Sequence, residues 1–350
     1  MPETIRAAEL QMLDIFDDKY RFTIPNYQRP YSWTTEQTGE LLDDLLYAVR
    51  QSNNLQDASP YFLGSVVIIK NDTSPRAEIV DGQQRITTLT ILLCALRDLA
   101  GDSGPQIDVY IRTPDMPFAG IEGHFRLTVR DRDSKFFQDN IQKIGKLRSF
   151  VSRSPDDLPD SQQRMHENAT HIWHELLKLD DTHRDALTGF IVQHCYLVVV
   201  STTDQDSAYR IFSVLNDRGL DLSPTDILKA NIIGGMEESA RNEYTETWES
   251  LEEDLTREGF RSLFAHIRMI YMKEKARGEL NKEFQEGVLK DLTGKEFIDE
   301  VLSPYADAYE RVVLSSPNGS ESANSYLENL GRLDNSDWIP PAMEYFKRNP

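Results

Sequence analysis

The sequence predicts an α+β protein: a mixed first part followed by a mostly helical remainder. Three observations carry this. Two apolar runs of strand length, Tyr61–Lys70 and Arg76–Val80, flank a turn at Asn71–Pro75. A leucine-rich helical pattern starts directly after the second run. Beyond residue 130, apolar residues recur mainly at helical spacing, interrupted by one strand-like run at Cys195–Ser201. The expected organisation is therefore a mixed domain over residues 1–130 and a mainly helical one over 131–350.

Taken in order, residues 7–18 read as a short helix with Leu10 and Leu13 inward. Tyr20–Ile24 alternates like a strand that Pro25 stops. Thr34 or Thr35 caps a helix reaching about residue 51, with Leu41, Leu42, Leu45, Leu46 and Val49 at helical spacing. After Asp81-Gly82 a helix places Ile86, Leu89, Leu93 and Leu96 on one face. Ile107–Arg112 and His124–Val129 are expected strands. Ser134–Ile144, Leu158–Leu179, Thr182–Val192, Ser207–Leu215 and Pro224–Ile233 are expected helices, and Glu237–Lys275 reads as two long ones. Leu314–Ser325 is expected as a loop. Lys347–Pro350 ends the chain without a closing element, as at the start of a further domain.

At 350 residues, with 39% hydrophobic and 27% charged, the chain can bury the cores of two domains. No apolar run approaches the roughly 20 residues a membrane helix needs, and the first residues lack a signal-peptide pattern. Cys94 and Cys195 stand in apolar surroundings, which argues against a disulfide scaffold or a cysteine-bound metal and fits a reducing compartment. A soluble cytoplasmic protein is expected.

The net charge of −20 argues against a dedicated non-specific nucleic-acid binder, which is usually basic. Residues 1–130 hold 12 Lys and Arg against 18 Asp and Glu; residues 131–350 hold 26 against 40. An anion site is thus expected in the first part, built from a few placed arginines. Most of the acidity serves solubility.

The strongest local signal is Ile79-Val80-Asp81-Gly82-Gln83-Gln84-Arg85. A glycine at a strand-to-helix corner lets backbone N–H groups approach a ligand, and a helix N-terminus favours anions. Arg85 can pair with a phosphate, Asp81 can hold a Mg²⁺ bridging phosphate oxygens or align a water, and Gln83 and Gln84 can orient that water. The plainer alternative is that Asp81 caps the helix and Arg85 answers it at i,i+4.

A second signal, Ile24-Pro25-Asn26-Tyr27-Gln28-Arg29-Pro30-Tyr31-Ser32-Trp33, is a stiff loop. Arg29 with Tyr27, Tyr31 or Trp33 could hold a phosphate beside a stacked base. Alternatively, buried aromatics pin the loop and Arg29 bonds backbone carbonyls. The third runs from Phe212 to Asn231. Arg218-Gly219 and Ser223-Pro224 punctuate helices there, while Asn216, Arg218 and Lys229 exceed what punctuation needs. His166, His171 and His174 form no HExxH pattern and read as ordinary helix residues. There is no G-x-x-x-x-G-K-[ST] loop and no G-x-S-x-G elbow.

Together, IPNYQRPYSW, YFLGSVVI with EIVDGQQRITTLTILL, and FSVLNDRGLDLSPTDILKANI resemble the N-terminal domain of GmrSD-type restriction enzymes. That domain also occurs in the SspE effector of phosphorothioate-dependent phage defence. The resemblance spans about residues 20–235 and implies a ParB/sulfiredoxin-like core followed by a helical region. It further implies hydrolysis of GTP or ATP with Mg²⁺ in the DGQQR pocket and a role in sensing modified DNA, with phosphorothioate slightly favoured over glucosylated hydroxymethylcytosine.

Carried over by motif, Asp81, Gly82, Gln83, Gln84 and Arg85 form the nucleotide site. Tyr27, Gln28 and Arg29 face the same pocket, and Asn216 and Arg218 lie near it. Family members usually continue into an HNH-type nuclease domain. No such box is found, since His266 is the last histidine, so this chain is expected to work with a nuclease domain or partner located elsewhere. The alternative reading is a non-enzymatic module that binds modified DNA or phosphate and regulates that nuclease.

Overall fold

A computed structural model of the chain describes residues 5–51, 56, 58–155, 158–204, 207–208, 211, 224–275, 280–314 and 321–349. The chain divides into two compact units, Met1–Gly219 and Leu220–Pro350. The first unit therefore runs well past the boundary expected at residue 130. The reason is the strand β8 (Cys195–Thr202), which pairs with the N-terminal strands and draws the intervening helices into their core.

The first unit holds strands β1 (Arg6–Gln11), β2 (Arg21–Thr23), β3 (Tyr61–Lys70), β4 (Arg76–Asp81), β5 (Arg112–Thr113), β6 (His124–Phe125), β7 (Leu127–Thr128) and β8. Six of them form one mixed sheet in the order β1-β8-β3-β4-β2-β7, and β5 pairs with β6 separately. β1–β8 and β3–β4 are antiparallel, while β3–β8, β2–β4 and β2–β7 are parallel. Val67, Ile68, Ile79 and Ala77 are fully buried in the sheet centre, which is why these central runs read as nearly continuous apolar segments.

The same unit holds helices α1 (Met12–Ile15), α2 (Thr35–Gln51), α3 (Gln83–Leu99), α4 (Gly104–Asp108), α5 (Asp131–Phe137), α6 (Leu147–Phe150), α7 (Asp160–Leu177) and α8 (Asp181–His194). α3 is the axis of the core. Every residue from Gln83 to Arg97 except Arg85 is buried. A helix enclosed on all sides needs no polar face, and each fully buried Leu or Ile contributes roughly 1.5–3 kcal/mol. Its threonines are reconciled with burial by bonding back along the helix: Thr87, Thr88 and Thr90 donate to the carbonyls of Gln83, Gln84 and Ile86 at 2.8–2.9 Å. At its far end buried Arg97 donates to Asp98, to Asp108 and to the carbonyl of Gln142.

Two sequence expectations fail here. Residues 7–18 are not one helix: β1 occupies Arg6–Gln11 and only Met12–Ile15 is helical. The pairing of β1 with β8, in register from Arg6 opposite Ser201 to Gln11 opposite Tyr196, outweighs a weak local helical pattern. Ile107–Arg112 is likewise not a strand, because its first residues end the helix α4 and β5 begins only at Arg112.

The second unit is helical: α9 (Pro224–Gly234), α10 (Glu238–Met272), α11 (Leu280–Glu283), α12 (Gly294–Glu296), α13 (Ser303–Val313), α14 (Glu321–Leu330) and α15 (Ile339–Arg348). α10 is broken at Thr256, whose φ is 61°, so the long 237–275 region is two helices as expected. Its core is aromatic. Trp248, Phe260, Phe264, Phe284 and Phe297 interlock with ring centroids 5.2–6.2 Å apart. Residues 321–325 lie in α14 rather than a loop, and residues 339–348 form α15, a helix that the sequence reading did not include. Of the expected Ser207–Leu215 helix, all but residues 207, 208 and 211 lies outside the described residues.

Candidate functional site

The DGQQR segment sits where β4 ends and α3 begins. Gly82 occupies the corner with φ 90°, a left-handed conformation that only glycine adopts without strain. Space excludes a side chain as well: a Cβ here would lie 2.7 Å from Cγ2 of Val66 and 3.2 Å from the carbonyl oxygen of Ser65.

Arg85, one turn into α3, is half-buried over β3 and donates to the carbonyl of Ser65 at 3.1 Å. β3 makes room for it with an irregularity in its pairing with β8 between Phe62 and Ser65. Within that bulge Gly64 takes φ 107°, and its missing side chain leaves the space that the guanidinium fills. Gly64 and Ser65 are thus site residues that the sequence reading passed over, although a lone glycine inside an apolar strand is a recognised sign of close approach.

Asp81 stands at the end of β4, half-buried. Burial raises its pKa, opposed by the N–H of Gly82 and by the fields of Arg85 and Arg29. Burial correspondingly lowers the pKa of Arg85, opposed by Asp81 and Tyr61. The carboxylate and the guanidinium feel each other without forming an ion pair within 4 Å among the described residues. The corner therefore presents a carboxylate and two guanidinium groups in mutual electrostatic range, backed by a helix N-terminus.

The two glutamines are spent otherwise. The side-chain oxygen of Gln84 accepts the N–H of Ser32 at 2.8 Å and that of Trp33 at 3.3 Å, while its amide donates to the carbonyl of Pro30 at 2.9 Å. Gln83 donates to Gln28 at 3.4 Å, and Gln28 donates to the carbonyl of Val80 at 3.2 Å. Arg130 in turn donates to the carbonyl of Gln28 at 3.3 Å. All three glutamines are buried. Gln83 and Gln84, read from the sequence as able to orient a water, here fasten the 24–33 loop to α3 and β4.

The same holds for the loop's aromatics. Tyr27 and Tyr31 are only 4% and 5% exposed, so neither offers a ring face to a base. The Tyr31 hydroxyl bonds Thr88 at 2.8 Å and accepts from Asn168 at 2.9 Å, and burial pushes its pKa up to about 12. Trp33 is half-buried against the core, and its carbonyl accepts from Asn168 at 2.6 Å. A cavity of about 10 Å³ between Arg29, Gln83, Gln84 and Arg130 is roughly the size of one water and far below a ligand site. Arg29 is half-buried, and its charge acts on Asp81. Asn216 and Arg218 lie outside the described residues.

A family model described as the GmrSD restriction endonuclease, N-terminal domain, matches residues 12–233. The chain belongs to this family. The family is that of a restriction-type defence protein domain, and the match ends at the close of α9, leaving most of the second unit outside it. No curated protein matches the chain significantly.

Among the described residues no group of three or more His, Cys, Asp or Glu side chains gathers to hold a metal. His166 is buried instead against Phe150, whose carbonyl lies 3.2 Å from its Nε2. Both cysteines are buried and free. No described helix is long and apolar enough to cross a membrane.

Proposed function

We propose that this GmrSD-family domain is a nucleoside triphosphatase and sensor module of a restriction-type defence effector, acting at the Asp81–Arg85 corner. On this reading GTP or ATP is the substrate, modified DNA is the effector with phosphorothioate slightly favoured, and a nuclease domain or partner is the output. A ParB/sulfiredoxin-like ancestry of the sheet belongs to the same reading. The observation that carries it is a half-buried carboxylate and guanidinium that attract each other without an ion pair within 4 Å among the described residues, at a strand-to-helix corner.

Arg85 and Arg29 would take the phosphate charge. Among the described residues Asp81 belongs to no group of three or more His, Cys, Asp or Glu side chains. This suits one ligand position on a Mg²⁺ that arrives with the triphosphate, since such ions are commonly held by one or two carboxylates plus substrate oxygens. Magnesium would neutralise charge on the transferring phosphoryl group. Gln83 and Gln84 would act by fixing the loop that carries Arg29.

One observation favours a second reading, a non-enzymatic phosphate- or modified-DNA-binding module. Gln84 is committed to the loop at both ends of its amide, and the Gln83 amide nitrogen donates to Gln28, so the motif's amides already serve the loop. Phosphate release from GTP and ATP with Mg²⁺, with and without phosphorothioate duplex DNA, separates the two. Turnover that Arg85→Ala abolishes supports the enzyme. Retained DNA binding with no turnover supports the binding module.

A further inference from the structure

We propose that a cavity in the second unit, at the C-terminal end of α10, binds a phosphate-bearing polyanion. It encloses about 1250 Å³, more than a mononucleotide-sized pocket requires. Residues 220–350 hold 15 Lys and Arg against 26 Asp and Glu, yet six of the cations and only four of the acids line this cavity. The lining is thus positive in the more acidic part of the chain.

The charges are arranged rather than scattered. Arg268 is a structural bolt: it donates to the Glu283 carboxylate, to the carbonyl of Glu274 at 2.6 Å and to that of Lys275 at 3.0 Å. These bonds hold the turn that follows α10, in which Lys273 adopts a left-handed φ of 54°. A lysine in that conformation is strained, and strain of this kind persists where the surroundings impose it. The turn carries Lys273 just before the bolted carbonyls and Lys275 at the second of them.

Across the cavity, α15 contributes Lys347, whose Nζ lies 4.3 Å from the centroid of the Tyr305 ring. Glu344 beside it is occupied by Arg348 and by the Tyr305 hydroxyl, as Glu283 is by Arg268. Two of the four acids are neutralised in place. Arg261, Lys273, Lys275 and Lys347 form no ion pair within 4 Å among the described residues. Four cations without carboxylate partners around a wide cavity are suited to successive phosphates, from either a nucleic-acid strand or a free nucleotide.

The test is fluorescence anisotropy on the full chain at low salt, with a labelled single-stranded DNA 15-mer and a fluorescent GTP analogue as probes. It is run in an Arg85→Ala background so that the DGQQR corner does not contribute. The variants are the pairs Arg261→Glu/Lys273→Glu and Lys275→Gln/Lys347→Gln, each checked for an unchanged melting temperature. At least tenfold weaker binding of one probe in both pairs is expected, with a shallower salt dependence; the probe that responds identifies the source of the phosphate. Absence of binding by either probe, or unaltered affinity in a folded pair, overturns the proposal. None of these outcomes depends on whether the DGQQR corner hydrolyses nucleotides.

Discussion

Gly64 lies directly beneath the guanidinium of Arg85: a Cβ on Gly64 would stand 3.1 Å from Cζ and both terminal nitrogens. The β3 bulge and the DGQQR arginine are therefore one device, assembled from residues 21 positions apart. Gly64→Ala should push Arg85 off the Ser65 carbonyl and also strain a backbone held at φ 107°, costing about 1–3 kcal/mol. Its effect on GTP or phosphate binding should match that of Arg85→Ala. Titration of both variants, with urea unfolding alongside, checks this; unchanged binding in Gly64→Ala would detach the bulge from the site.

Gln84→Ala removes three hydrogen bonds at once and strands the N–H of Ser32 and the carbonyl of Pro30. Each buried group left unsatisfied costs about 1–3 kcal/mol, so a total loss of roughly 2–4 kcal/mol is expected. Gln84→Glu keeps the acceptor but cannot donate to Pro30 while ionised, and should fall between the two. Urea midpoints give the order. A Gln84→Ala variant as stable as wild type but inactive would restore Gln84 to a chemical role.

What the sequence reveals and what it conceals divide along contact range. β3, β4, α3 and β8 were legible because each carries its own apolar period and breaker residues. The site's segments were likewise legible as motifs. The work done by Gln84 was not, because its partners stand 51–54 residues away and nothing local marks an amide as a clamp. Nor was β1 legible, since its partner β8 is almost 190 residues distant and its six residues carry no clear alternation. The boundary at residue 130 was misplaced for the same reason: composition turns helical there, while the sheet closes only at Thr202.

Asp81 makes a pH-dependent prediction. Its pKa in the fold is raised above the ordinary 3.8, chiefly by burial. The protonated form is thus favoured by folding: the benefit is complete below the unfolded pKa and lost as pH rises through the folded value. At neutral pH the ionised carboxylate weighs against stability. Asp81→Asn should therefore melt higher than wild type at pH 7.5, with the difference vanishing as pH falls below about 3.8. Mg²⁺-dependent turnover should drop in the same variant, because the carboxylate that would hold the ion is gone. Differential scanning calorimetry across that range decides it, and a variant that melts lower at neutral pH would mean that attraction to Arg85 and Arg29 outweighs burial.

Lys229 was singled out as more than helix punctuation, and its place in the fold explains part of it. Its Nζ donates to the Glu249 carboxylate at 2.9 Å, with only 2% and 7% of the two side chains exposed. Such a pair gains little over a well-packed apolar one, but removing one partner takes from a buried charge one of the groups that balance it. Lys229→Met should cost about 3–5 kcal/mol, whereas Lys229→Met with Glu249→Leu should recover most of that loss. A double-mutant cycle by urea unfolding measures the coupling. If the double variant is restored in stability but loses its response to DNA or nucleotide, the pair serves function as well as folding; if both stability and response return, the ion pair is a structural element of the second unit.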